Sequence, residues 1–186
     1  MIASRPSGSA VRPLAIGLFA VGIEWARVTA ERQPSLTVPA LAVGGLALVT
    51  VGLGVPSDDL GFGAGRLALR LAGGLMLGLL LVLPAIIRGQ VPPLLPPAYS
   101  AAAIAVAVGE EIAFRGALYS ALDSAFGPAA AIAGSSVAFV AAHVLSHPPA
   151  FLPVVATMAV LLAAWRWYFR DLLAPVVGHV LADALL

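Results

Sequence analysis

The chain alternates long apolar runs with short polar breaks. Residues 33–57, 71–87, 89–109, 124–165 and 172–182 carry no formal charge. A helix needs roughly 20 mostly apolar residues to cross ~30 Å of hydrocarbon, so these runs predict membrane spans. The run 124–165 is long enough for two, and "HPPAFLP" (His147–Pro153) divides it, because prolines in series cannot continue a helix. The pattern predicts about seven helices, near 13–30, 36–56, 67–87, 98–121, 128–147, 151–169 and 172–186. "PSDDLGFGAGR" (Pro56–Arg66) and "VPPLLPP" (Val91–Pro97) carry loop chemistry. The expected fold class is all-α: a polytopic transmembrane helix bundle forming one integral membrane domain over 1–186.

Composition strengthens the membrane reading. Of 186 residues 61% are hydrophobic and 10% charged, with a mean hydropathy of +1.02. Soluble domains are about half apolar and about a quarter charged. The formal net charge of +1 gives no reason to expect nucleic acid. Without cysteine there is no disulfide and no thiolate chemistry. Arginine placement sets the expected orientation. With seven spans, Arg5, Arg12, Arg66, Arg70, Arg166 and Arg170 fall on one side, and Arg27, Arg32 and Arg88 on the other. The first side, and with it the N-terminus, is expected to be cytoplasmic, in a bacterial cytoplasmic membrane surrounded by lipid. A competing reading makes the first segment a signal peptide, with "VTA" (Val28–Ala30) as its cleavage site.

The chemistry concentrates in "VGEEIAFRGALYSAL" (Val108–Leu122). A charge at mid-bilayer costs roughly 2.5–3.5 kcal/mol, so three unpaired ones would cost about 8–10 kcal/mol, comparable with the whole ~5–15 kcal/mol stability of a domain. Glu111 and Arg115 stand four apart and can pair on one helical face. Glu110 lies about 100° around the helix and has no such local partner, which suits a general base or acid. "FVAAH" (Phe139–His143) and "HVLAD" (His179–Asp183) set further polar groups into two later helices. A lone histidine in an apolar helix is more often an interhelical donor than a catalyst. Here two histidines and several carboxylates occupy three helices.

"EEIAFRG", "FVAAH" and "HVLAD" resemble, in order, the EExxxR, FxxxH and HxxxN/D motifs of the CPBP family, the CAAX proteases and bacteriocin-processing (Abi) proteins. The motif-bearing core spans about 98–186. The resemblance implies a CAAX-protease-like, all-helical intramembrane endopeptidase acting on a membrane-associated peptide or protein. It implies that Glu110 and His143 activate a water, with His179 and position 183 on the oxyanion side. Glu111, Arg115 and Phe139 would support them. Asp183 stands where the best-known members carry asparagine. A carboxylate donates only when protonated, so Asp183 either stays protonated or orients His179.

No cofactor is expected. Zinc remains an open alternative, since "HVLSH" (His143–His147) has an i, i+4 histidine pair. Val144, however, stands where HExxH has glutamate, and His147 reads as an interfacial or capping residue. Glu24 reads as an interhelical hydrogen-bonding group, Gly44, Gly45, Gly73 and Gly74 as sites of close helix approach, and Asp58 and Asp59 as a solvated loop. Two other functions compete with the enzyme: a non-enzymatic immunity or regulatory membrane protein on the same scaffold, and a small proton-coupled transporter. The transporter reading is weakened by the lack of internal repeats.

Overall fold

The computed structural model describes residues 9–63, 65–89 and 93–185. Arg5, Leu186 and the Val91 and Pro92 of the predicted loop lie outside the described residues. The regular elements among the described residues are all helical: α1 (Val11–Glu31), α2 (Thr37–Thr50), the single turn α3 (Ser57–Leu60), α4 (Leu67–Ile87), α5 (Pro97–Glu110), a π-helical segment (Glu111–Leu118), α6 (Tyr119–Phe126), α7 (Pro128–His143), α8 (Leu152–Phe169) and α9 (Leu173–Leu185). Because α5, the π segment and α6 run on without a break, they form one long rod. The seven expected helices are present, with α3 added inside the Pro56–Arg66 loop. α1, α4 and residues 149–169 are long and apolar enough to cross a membrane.

Three predicted ends move. The fourth helix runs on to Phe126 rather than stopping near 121. The second helix stops at Thr50 rather than near 56, and the fifth stops at His143 rather than 147. In the latter, Ser146 and His147 close turns back onto the His143 carbonyl before the prolines begin. Between α6 and α7 the break is a single residue. Gly127 adopts φ +88°, a region that L side chains avoid, and Pro128 begins the next helix at a position where its missing N–H costs nothing.

Two helix pairs lock through absent side chains. α2 meets α5 where a Cβ on Gly45 would lie 2.5 Å from the Ala105 carbonyl carbon, with Gly109 packed in turn on the Gly45 carbonyl. α4 meets α9 where Gly74 receives Val177, Gly78 receives Leu181 and Gly178 receives Leu77. Small residues let backbones approach, which compensates for the weak hydrophobic drive between helices in lipid. Gly45→Ala should therefore overpack α2 on α5 at a cost of about 1–3 kcal/mol, a fall of roughly 2–12 °C in the thermal midpoint. The control Gly22→Ala, where a Cβ meets nothing within 4 Å, should hold the midpoint or raise it. Equal midpoints for the two variants would contradict this packing.

A polar clasp fixes the start of α9. Arg70 of α4 donates to Asp171 at 2.6 Å and to the carbonyls of Gly63 and Gly61. Asp171 accepts from the amides of Leu173 and Ala174, capping the α9 N-terminus. Leu172 N–H reaches the Gly61 carbonyl, and Arg166 of α8 reaches that of Asp59. The clasp sets the register in which α9 presents His179 to the rod.

Candidate active site

The rod carries Glu110 as the last α-helical residue and Glu111 as the first of the π segment. The π segment begins at Glu111, but Glu110 and Glu111 both keep α-helical dihedrals, φ −61°, ψ −45° and φ −64°, ψ −41°. Both glutamates reach His179 of α9 from adjacent faces of the rod. Glu111 Oε1 accepts from His179 Nδ1 at 2.8 Å and from Arg115 Nη1 at 2.9 Å. Glu110 Oε2 lies 3.7 Å from His179 Nε2. Sequence spacing gives the Glu111–Arg115 pair but not this sharing of one imidazole between neighbouring carboxylates.

α7 supplies the other side. His143 Nδ1 donates to the Phe139 carbonyl at 2.8 Å, which leaves Nε2 as the nitrogen directed at Glu110 Oε1, 3.8 Å away. Phe139 fills the space between these groups. The Arg115 guanidinium lies over its ring at 3.8 Å, and the His143 ring centroid is 4.2 Å from its own. A cation over an aromatic face and an ion pair together hold Arg115 where it is wholly buried.

The structure thus brings together Glu110, Glu111, Arg115, Phe139, His143 and His179 from the rod, α7 and α9. Glu110 is 2% exposed, His179 3% and His143 8%. Asp183 is at the rim: its side chain is 37% exposed, with Oδ1 3.6 Å from His179 Nε2. Since Nδ1 is held by Glu111, orientation of His179 falls to Glu111 rather than to Asp183. The open side of the cluster is at Asp183. Two cavities, of about 310 and 580 Å³, lie toward the α3 and α6–α7 end around Asp58, Asp59 and Asp123, and neither is lined by the cluster.

His147 stands apart from the cluster. Its ring stacks on Phe151 and its Nδ1 meets Ser146 Oγ at 2.9 Å. Its centroid is 5.4 Å from that of His143. Among the described residues no group of three His, Asp or Glu side chains is placed as a metal ion would require, and no step below passes through one.

Two residues of the first helix differ from their sequence reading. Arg27, counted from the sequence only toward orientation, points inward. Its side chain is 8% exposed, it pairs with Glu24 and Glu31, and its Nη2 lies 4.0 Å from Glu110 Oε1. Glu24 bonds within its own helix rather than between helices, through both oxygens to Arg27 Nε at 3.3 and 3.1 Å. The available signal was the i, i+3 spacing of opposite charges inside an otherwise apolar span. The first segment, read alternatively as a signal peptide, packs on α2 and α7 as a member of the bundle.

A family model described as Type II CAAX prenyl endopeptidase Rce1-like matches residues 92–185. No curated protein and no solved structure matches the chain. The match covers α5 through α9 and with them every residue of the cluster, but not α1. Together with the three long apolar helices, it makes this a membrane protein. The chain belongs to the Rce1-like type II CAAX prenyl endopeptidase family, a family of proteases.

Proposed function

We propose that the protein is an intramembrane endopeptidase in which Glu110 and His143 activate a water against a peptide carbonyl. The observation that carries this reading is the Glu110 carboxylate, set between the Nε2 atoms of two histidines at 3.8 and 3.7 Å. Both distances exceed direct hydrogen-bond reach and suit a bridging molecule. With Nδ1 committed to Phe139, His143 Nε2 is an acceptor, as is the Glu110 carboxylate. A water donating one hydrogen to each would be held with its oxygen free to attack.

In this mechanism the water oxygen bonds to the carbonyl carbon as Glu110 takes the proton. The developing oxyanion accepts from the Nε2–H of a doubly protonated His179, whose Nδ1–H is held by Glu111. Collapse breaks the C–N bond, and the proton on Glu110 passes to the leaving amine. Fixed donors aimed at developing charge are worth most where water is excluded. Arg115 and Phe139 hold Glu111 and His143 in place. The substrate class is a membrane-associated peptide or protein, and the mechanism asks nothing of a metal.

The test is cleavage of a library of membrane-protein peptides by the detergent-purified protein, with new termini mapped by mass spectrometry. New termini at discrete bonds are expected. Their absence, with a folded protein, would reject the peptidase. It would favour the second reading, a non-enzymatic immunity or regulatory membrane protein, which the closed burial of the cluster also suits. At position 183 the expectation is specific. Asp183→Asn supplies a donor in every protonation state and should cleave within about threefold of wild type or faster, whereas Asp183→Leu should lose up to about 10²-fold if that side chain meets the oxyanion. Equal rates for both would make Asp183 a bystander.

A further inference from the structure

α1 lies wholly outside the matched residues 92–185, yet it delivers a cation to the centre of the cluster. Arg27 Nη2 stands 4.0 Å from Glu110 Oε1, the same oxygen that faces His143 Nε2 at 3.8 Å. Oε2 faces His179. Both oxygens of Glu110 therefore face a nitrogen group, so the field of these three groups biases the plane of a carboxylate that no direct hydrogen bond holds.

Arg27 is itself held from three directions. Glu24 takes its Nε and Nη2, and Glu31 takes its Nη1. Its stem crosses α2 at Gly44, where a Cβ would lie 2.7 and 2.9 Å from Arg27 Cδ and Cγ. Two residues before it, Trp25 Nε1 donates to the Ala141 carbonyl at 2.9 Å, tying α1 to α7 beside His143. A surface ion pair needs none of this. A guanidinium given a bare glycine to cross, two carboxylates to orient it and a helix anchored to the histidine-bearing one is placed with respect to Glu110.

We infer that Arg27 is a positioning residue for the reaction at Glu110, supplied by the N-terminal helix and supported by Glu24 and Gly44. The inference rests on the peptidase reading above. It acts through Glu110, holding Oε1 where a water shared with His143 can be deprotonated. Arg27 does not itself receive substrate, because its donors are already turned to Glu24 and Glu31.

The experiment has two arms. The first needs no substrate: thermal unfolding in detergent of wild type, Arg27→Gln, Glu110→Gln and the double variant. Groups in contact give non-additive effects, so the double variant should melt several degrees above the sum of the single losses. Additivity within about one degree would overturn the contact. The second arm uses a fluorogenic form of whichever library peptide the wild type cleaves. Arg27→Gln should lower kcat about tenfold or more with KM within about twofold, as expected for a contact that matters at the reacting centre. Arg27→Lys should restore at least half of the lost rate. An unchanged kcat, a loss confined to KM, or a loss that lysine does not relieve in a folded variant would overturn the positioning role. A wild type that cleaves no peptide defeats the peptidase reading and the catalytic role of Arg27 with it. The first arm then decides separately whether Arg27 and Glu110 are coupled.

Discussion

Glu110→Gln is expected to cleave about 10²–10⁴-fold more slowly than wild type, the range that a positioned general base supplies, while keeping its fold. Glutamine has nearly the same shape and can still accept a hydrogen bond, but it cannot take the proton of a water. Retention of the fold follows from the surroundings. Glu110 makes no direct hydrogen bond among the described residues, its nearest polar neighbours being 3.7, 3.8 and 4.0 Å away. Its removal leaves Arg27 paired with Glu24 and Glu31, and His179 bonded to Glu111. Thermal unfolding and circular dichroism would establish the fold, and initial rates on the cleaved peptide the loss. A variant that cleaved at half the wild-type rate would remove Glu110 from the mechanism.

Arg115→Met is expected to behave in the opposite way, failing first in stability. Arg115 and Glu111 are both fully buried, and their ion pair is 2.9 Å long. Removing one partner of a buried pair strands the other charge and costs about 3–5 kcal/mol. For a chain of this size that is a fall of roughly 6–20 °C in the thermal midpoint. The guanidinium's place over the Phe139 ring is lost as well. The double variant Glu111→Gln/Arg115→Met removes both charges and should recover part of the fall. A single variant melting within about 2 °C of wild type would mean that Glu111 is satisfied without Arg115.

These two outcomes separate residues that one short motif places side by side. The i, i+4 spacing of Glu111 and Arg115 made their pairing readable from the sequence, and the same periodicity left Glu110 unpartnered. The helix pattern followed from hydrocarbon thickness and from proline and glycine punctuation, so seven helices could be counted in advance. What periodicity could not convey was the π segment at Glu111–Leu118. Nothing local in the sequence announces that segment, and a helical wheel gives no sign that two carboxylates about 100° apart meet one imidazole, because that depends on where α9 packs against the rod. Arg27 was missed for another reason. The sequence places it in the first helix and counts it toward orientation, and only the packing of α1 across Gly44 shows that it points inward. Close packing at Gly45 and Gly74 was expressed in the glycines themselves, whereas Gly78 and the partners that all three admit depend on tertiary register.

The clasp of Arg70 and Asp171 illustrates how remote positions bear on the site. It caps α9 and joins it to α4, so the depth at which His179 meets Glu110 and Glu111 is set at the N-terminal end of the helix. The rod, α7 and α9 each contribute one part of the cluster, and the glycine contacts hold their spacing.

The central claim is that Glu110 and His143 act as one unit on one water. The most direct measurement is the cleavage rate of the double variant Glu110→Gln/His143→Ala beside each single variant, on the same peptide and at matched folded concentration. Groups that serve a single step lose most of their effect together, so the double variant should be no more than about threefold slower than the slower single variant. Losses that multiply, giving a double variant slower by the product of the two, would show that the residues act in separate steps and would contradict the account.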